Sequence, residues 1–68
     1  MRISARNILK GKVTEVNKGA TTAHVKIDIG GTVVTAWITN QAVDELGLKV
    51  GDNAYAVIKA SDVMVGKD

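Results

Sequence analysis

Cysteine is absent from this chain, and so are proline and phenylalanine. No disulfide can staple the fold and no thiolate can hold a metal. A single histidine, His24, is too few ligands for a zinc centre, so no bare-cation site is expected. With one Trp and one Tyr, the core must come from Val, Ile, Leu and Ala, which suits strands with small, closely packed faces. No apolar run approaches the roughly 20 residues that span a membrane. The start, Met1-Arg2-Ile3-Ser4, lacks the apolar stretch of a signal peptide, so a cytoplasmic location with no membrane partner is expected. Charge is nearly balanced: nine Lys and Arg against seven Asp and Glu give a net +2. That is far from the dense basic patch of a nucleic-acid protein. No nucleophile elbow, phosphate loop or paired-carboxylate motif is present, and an enzyme is not expected.

What is present fits one domain over residues 1–68, with no linker composition and no internal repeat. So short a chain buries a modest fraction of its surface and is marginal alone. With disulfides and metals excluded, self-association is the remaining staple.

Period-two alternation is clearest at Thr22–Ile29, where Ala23, Val25, Ile27 and Ile29 share one face and Thr22, His24, Lys26 and Asp28 the other. An earlier strand is expected at about Asn7–Val16, with Gly11 marking a bulge or a close backbone approach. Asn17-Lys18-Gly19-Ala20 reads as a turn. Gly30-Gly31 turns the chain into a β-branched strand at Thr32–Ile38. A short helix follows, capped by Thr39 or Asn40, with Ala42, Val43 and Leu46 at helical spacing and Gly47 at its end. A fourth strand is expected at Ala54–Lys59 and a fifth, short one at Asp62–Val65. Five strands with a helix between the third and fourth is the order of an all-β OB-fold barrel; an SH3-like barrel usually lacks that helix. Two such barrels can trade a strand.

The segments Ser4-Ala5-Arg6-Asn7, Leu9-Lys10-Gly11, Ile38-Thr39, Glu45-Leu46-Gly47-Leu48 and Ile58-Lys59-Ala60-Ser61-Asp62-Val63 occur in order. Together with Gly19, Gly30-Gly31, Ala36 and Gly51, they resemble the molbindin (Mop) family of molybdate-binding proteins over almost the whole chain. The resemblance implies an OB-fold subunit, a homohexamer built as a trimer of dimers, and oxyanion sites at subunit interfaces. It implies molybdate or tungstate as ligand, held for storage and homeostasis of intracellular molybdenum. Two alternatives stand beside it: an OB-fold nucleic-acid module, and a molybdate-responsive regulatory domain whose bound state a partner protein reads. The family often has Ser three residues after the Thr of Ile38-Thr39; Ala42 stands there, so that hydroxyl is missing.

Molybdate is a dianion with no proton to donate near neutral pH, so its site should offer donors and few acceptors. Arg and Lys only donate, and Ser and Thr hydroxyls can rotate to donate. Bonds from charged donors to anionic oxygens are roughly twice as strong as neutral ones. Ser4 and Arg6 supply such groups in one segment, and Lys59, Ala60 (through its backbone) and Ser61 in another. The resemblance brings the two together across a subunit interface, with Thr39 joining from the capped helix start. Asp44 and Asp62 are expected to point away. On local pattern alone, Arg6 and Lys59 read as solvated charges, Thr39 as a helix cap, Ser61 as a turn cap and Asn7 as a residue that fixes the loop. A second oxyanion site is expected at Lys18, Gly19, Ala20, Thr21 and Thr22, where a Gly-containing turn can aim successive N–H groups at one point. His24 reads as a surface residue, and Trp37 as a core or interface residue.

Overall fold

The computed structural model describes the whole chain, residues 1–68. In order along the chain lie β1 (Asn7–Lys18), β2 (Thr22–Asp28), β3 (Val33–Thr39), helix α1 (Asn40–Leu46), β4 (Asn53–Ile58) and a single 3-10 turn at Ala60–Asp62. The strands form one antiparallel sheet in the order β3-β2-β1-β4. This is the OB-type arrangement, a curled sheet with its helix between the third and fourth strands.

The sheet is single-minded about its two faces because side chains alternate along each strand. Ala23, Val25 and Ile27 of β2 point inward and are buried, while His24 between them is exposed. Opposite them lie Val34, Ala36 and Ile38 of β3 and Val13 and Val16 of β1. Val43 of α1 joins Val13, Ala23, Val25, Ile27 and Ala56 in the core. The helix that carries Val43 is held at both ends. Thr39 Oγ1 accepts the Ala42 N–H at 3.0 Å, and Gly47, at φ 63°, closes the C-terminus by donating back to Asp44 and Val43 carbonyls.

β1 is the strand on which the sheet curls. Its first half, Asn7–Lys12, pairs with β4, and its second half, Lys12–Lys18, pairs with β2. A bulge between Val13 and Glu15 and the bare Cα of Gly11 make the bend. A Cβ on Gly11 would overlap the Asp28 carbonyl oxygen and lie 2.8 Å from Ile27 Cγ2. The expected close backbone approach is therefore at Gly11, with the bulge three residues on. Between β2 and β3, Asp28 Oδ1 accepts the N–H groups of Gly30 (2.9 Å) and Gly31 (2.8 Å). Those two bonds, Gly31 first, hold the Asp28 carboxyl below the usual aspartate range.

The expected fifth strand at Asp62–Val65 does not form. A strand needs a neighbour to pair with, and intrinsic β preference does not replace one. In the single chain this segment leaves the 3-10 turn and runs free, with Met64 and Val65 each 93% exposed. The sheet therefore keeps two open edges, β3 and β4. Between them lies an apolar trough of about 720 Å³, lined by Val34, Ala36, Ile38, Leu48, Ala54 and Ile58 among others. Only seven residues are buried, which leaves a small core for a chain this size.

Candidate oxyanion site

The antiparallel pairing of β1 with β4 decides what the first donor cluster contains. Asn7 lies across from Ile58. One step outward on each strand are Arg6 and Lys59, so the N-terminal segment and the segment after β4 meet at one end of the sheet. Ala5 is buried (7% exposed) and anchors its segment, which turns its neighbours Ser4 and Arg6 to solvent. Arg6 Nε donates to the Ser4 carbonyl at 3.0 Å, leaving the two terminal nitrogens of the guanidinium free to donate elsewhere. Asn7 Nδ2 donates across the strands to the Ile58 carbonyl at 3.2 Å.

On the facing segment, the 3-10 turn consumes acceptors and frees donors. The Lys59 carbonyl accepts the Asp62 N–H (2.9 Å), and the Ala60 carbonyl accepts the Val63 N–H (3.2 Å). The N–H groups of Ala60 and Ser61, at the start of the turn, have no partner within the chain. Ser4, Arg6, Lys59, Ala60 and Ser61 are all exposed at this end, and the cluster offers two cations, two hydroxyls and free backbone N–H groups.

Thr39 is not with them. It ends β3, pairs with Thr22, and lies beside the turn from Lys18 to Thr22 at the far end of the sheet. The two ends are joined by β1, whose 12 residues span roughly 35 Å along the strand at about 3.3 Å per residue. The resemblance groups Thr39 with Arg6 across a subunit interface; within one chain the two lie at opposite ends of the sheet.

The second group, Lys18, Gly19, Ala20, Thr21 and Thr22, does form a tight turn. The Gly19 N–H donates to the Thr22 carbonyl at 2.7 Å. Asn40 buttresses it from α1: its backbone N–H donates to Thr21 O (2.9 Å) and its Nδ2 to Gly19 O (3.0 Å). Sequence offered Asn40 only as a helix cap; its tether to a turn 21 positions away carries no local signal. Lys18 is paired with Asp44, both side chains partly exposed. Within one chain Asp44 thus stands at the opposite end of the sheet from Arg6 and Lys59, and it offsets the one cation of the second turn.

His24 and Trp37 face outward on paired strands, their rings stacked 6.1 Å apart at 8°. Trp37 is 71% exposed and so is not a core residue of the single chain. It sits on the outward side of β3 because the inward positions, Ala36 and Ile38, are one step away on either side.

Residues 3–65 match the TOBE domain family. A probable molybdenum-pterin-binding protein of Haemophilus influenzae is 55% identical over 67 residues, 97% of each chain. The chain belongs to the TOBE-domain family, among the molbindins. The molbindin fold is equally plain in solved structures. A molybdate-binding protein from Sporomusa ovata superposes with a TM-score of 0.94 at 40% identity, covering 98% of this chain and all of that one. ModG, described as a cytoplasmic molybdate-binding protein and solved with molybdate bound, gives a TM-score of 0.90 at 51% identity over 94% of this chain and 46% of its own.

Proposed function

We propose that this molbindin binds molybdate, and tungstate with it, at the interfaces of a homo-oligomer, as a cytoplasmic store of molybdenum rather than as an enzyme. The observation that carries the reading is the convergence of Ser4 and Arg6 with Lys59, Ala60 and Ser61 at one end of the sheet. Every one of these groups donates, and the carbonyls of Lys59 and Ala60 are already occupied. A tetrahedral dianion with no proton to give matches a cluster in which charged and neutral donors predominate. Relatives named for molybdenum-pterin and molybdate binding agree with this ligand. The location follows ModG, which is described as cytoplasmic.

Thr39, at the opposite end of its own chain, reaches this cluster only from a second copy. Self-association also suits the rest of the molecule. Two open edges and an apolar trough are what a segment donated by another copy would cover, and the free, apolar Val63-Met64-Val65 segment is such a donor. A homohexamer arranged as a trimer of dimers is the assembly proposed. The turn at Lys18–Thr22 is proposed as a second oxyanion site, one in which Lys18 must exchange its Asp44 partner for the ligand.

Equilibrium dialysis against molybdate with metal analysis, paired with native mass measurement, tests the reading. Retention of molybdate by an oligomer supports it; a monomer, or a protein that retains none, refutes it. The exposed His24–Trp37 stack favours one second reading, an OB-fold module that stacks nucleobases. Titrating Trp37 fluorescence with single-stranded DNA and RNA at moderate salt separates the two. A pull-down with and without molybdate separates a pure store from a regulatory domain that a partner reads.

A further inference from the structure

We infer that Asn7 is a positioning residue for the oxyanion cluster: its side-chain amide sets the spacing between Arg6 and Lys59 without touching the ligand. The inference rests on the oxyanion reading above.

The argument starts from the place of Asn7 in the chain. It is the first residue of β1, directly after Arg6, and it is half-buried. Its Nδ2 donates to the carbonyl of Ile58, 51 positions away, which is the last residue of β4 and directly precedes Lys59. It is the only side-chain hydrogen bond between the start of β1 and the end of β4. One bond thus lies a single residue from each of the two cations.

That position has two physical consequences. The first concerns repulsion. Arg6 and Lys59 carry like charges just beyond the last rung of the β1–β4 ladder, where the Asn7 amide makes the one side-chain bond between the two strands, and like charges facing one another across strands are destabilising. A crosslink adjacent to both holds them at one separation before any anion arrives, so less ordering has to be done on binding. The second concerns acceptors. The carbonyls of Lys59 and Ala60 are occupied by the N–H groups of Asp62 and Val63. Asn7 occupies the Ile58 carbonyl that precedes them. Three successive carbonyls, those of Ile58, Lys59 and Ala60, are thereby bonded, which leaves fewer bare oxygens beside the donors of this segment. Ser4 and Arg6 are fixed independently by their own Nε-to-carbonyl bond, so Asn7 sets the relation between two segments that are each already shaped.

The test uses the full chain in its assembled form. Molybdate and sulfate affinities are measured by calorimetric titration for the wild type, Asn7→Ala, Asn7→His and Arg6→Ala, with melting temperature and native mass recorded for each. Asn7→Ala is expected to weaken molybdate binding by roughly tenfold to a hundredfold, the range that loss of an orienting hydrogen bond behind a ligand residue carries at metal sites. It is also expected to lower the ratio of molybdate to sulfate affinity, because a loosened cluster fits either tetrahedron equally poorly. Mere loss of folded protein would lower both affinities by the same factor and leave that ratio alone. Asn7→His, whose ring N–H can take the place of the amide nitrogen, is expected to restore the affinity and the ratio. Should the alanine variant not fold, Asn7→Leu keeps the volume without the donor and serves in its place. Wild-type affinity and ratio in the donor-less variant, with binding weakened in Arg6→Ala, overturns the inference and leaves the oxyanion reading standing. A wild type that takes up no molybdate overturns the reading itself.

Discussion

Replacing Gly11 by Ala is the sharpest test of how this sheet is packed. The added methyl would overlap the Asp28 carbonyl oxygen, lie 2.8 Å from Ile27 Cγ2 and 3.0 Å from the Asp28 carbonyl carbon. Two of those three atoms are backbone. Asp28 cannot retreat easily, since it is paired with Lys12 on one side and Val33 on the other, and its side chain holds the next turn. Overpacking against a side chain costs about 1–3 kcal/mol, and against fixed backbone the upper end applies. Alanine also restricts the unfolded chain, which returns about 0.4–1 kcal/mol. The net expectation is roughly 2–3 kcal/mol of destabilisation. A chain of 68 residues unfolds with about 2.1 cal/mol/K per residue, so each kcal/mol moves Tm by roughly 7 °C, and the variant should melt about 14–20 °C lower. The assay is thermal unfolding followed by circular dichroism, at one fixed protomer concentration because association moves Tm. Gly66→Ala is the control: no heavy atom lies within 4 Å of its added Cβ, and its Tm should hardly change. A Gly11→Ala protein that melts with the wild type would refute the claim that β1 and β2 meet this closely.

Arg6→Ala and Lys59→Ala should each weaken molybdate binding by roughly 10- to 150-fold, the equivalent of one charge-assisted contact of about 1.5–3 kcal/mol, with far-ultraviolet dichroism unchanged; unaltered dialysis stoichiometry and affinity in both would dismiss the site. Asp28 titrates below its unfolded value because Gly31 and Gly30 donate to it. Its contribution is therefore fully present above the unfolded pKa of about 3.9 and is lost as pH falls through the lower folded value. Acid melts between pH 5 and pH 2 should fall less steeply for Asp28→Asn than for the wild type, and parallel curves would count against the turn. Val63→Asp combined with Val65→Asp should lower the oligomer mass in native spectrometry if the tail covers another copy's trough; an intact assembly would show that it does not.

Local chemistry made much of this fold legible. The alternation at Thr22–Ile29, the Gly30-Gly31 turn and the helix between Thr39 and Gly47 each depend on residues close in sequence, and each is found. What depends on distant partners was not legible. Asp62–Val65 has strand-forming residues but no strand to pair with in its own chain, so it stays open. The candidate site residues were named through the family resemblance, their donor chemistry agreeing with it, yet their division between two ends of one chain was not legible. Only the register of β1 against β4 puts Arg6 beside Lys59, and only that of β2 against β3 puts Thr39 beside Thr22. The Lys18–Asp44 pair, 26 positions apart, was hidden for the same reason.

Pairing Asn7 with Ile58 also brings the point where the chain enters the sheet and the point where it leaves it to the same end. Entry and exit side by side are what allow a unit to be spliced into another polypeptide, or duplicated head to tail through a short connector, with the sheet untouched. The same geometry is a warning at the bench. A polyhistidine tag on either terminus would be joined through the segments that carry Arg6 and Lys59, so ligand titrations belong on protein from which the tag has been cleaved.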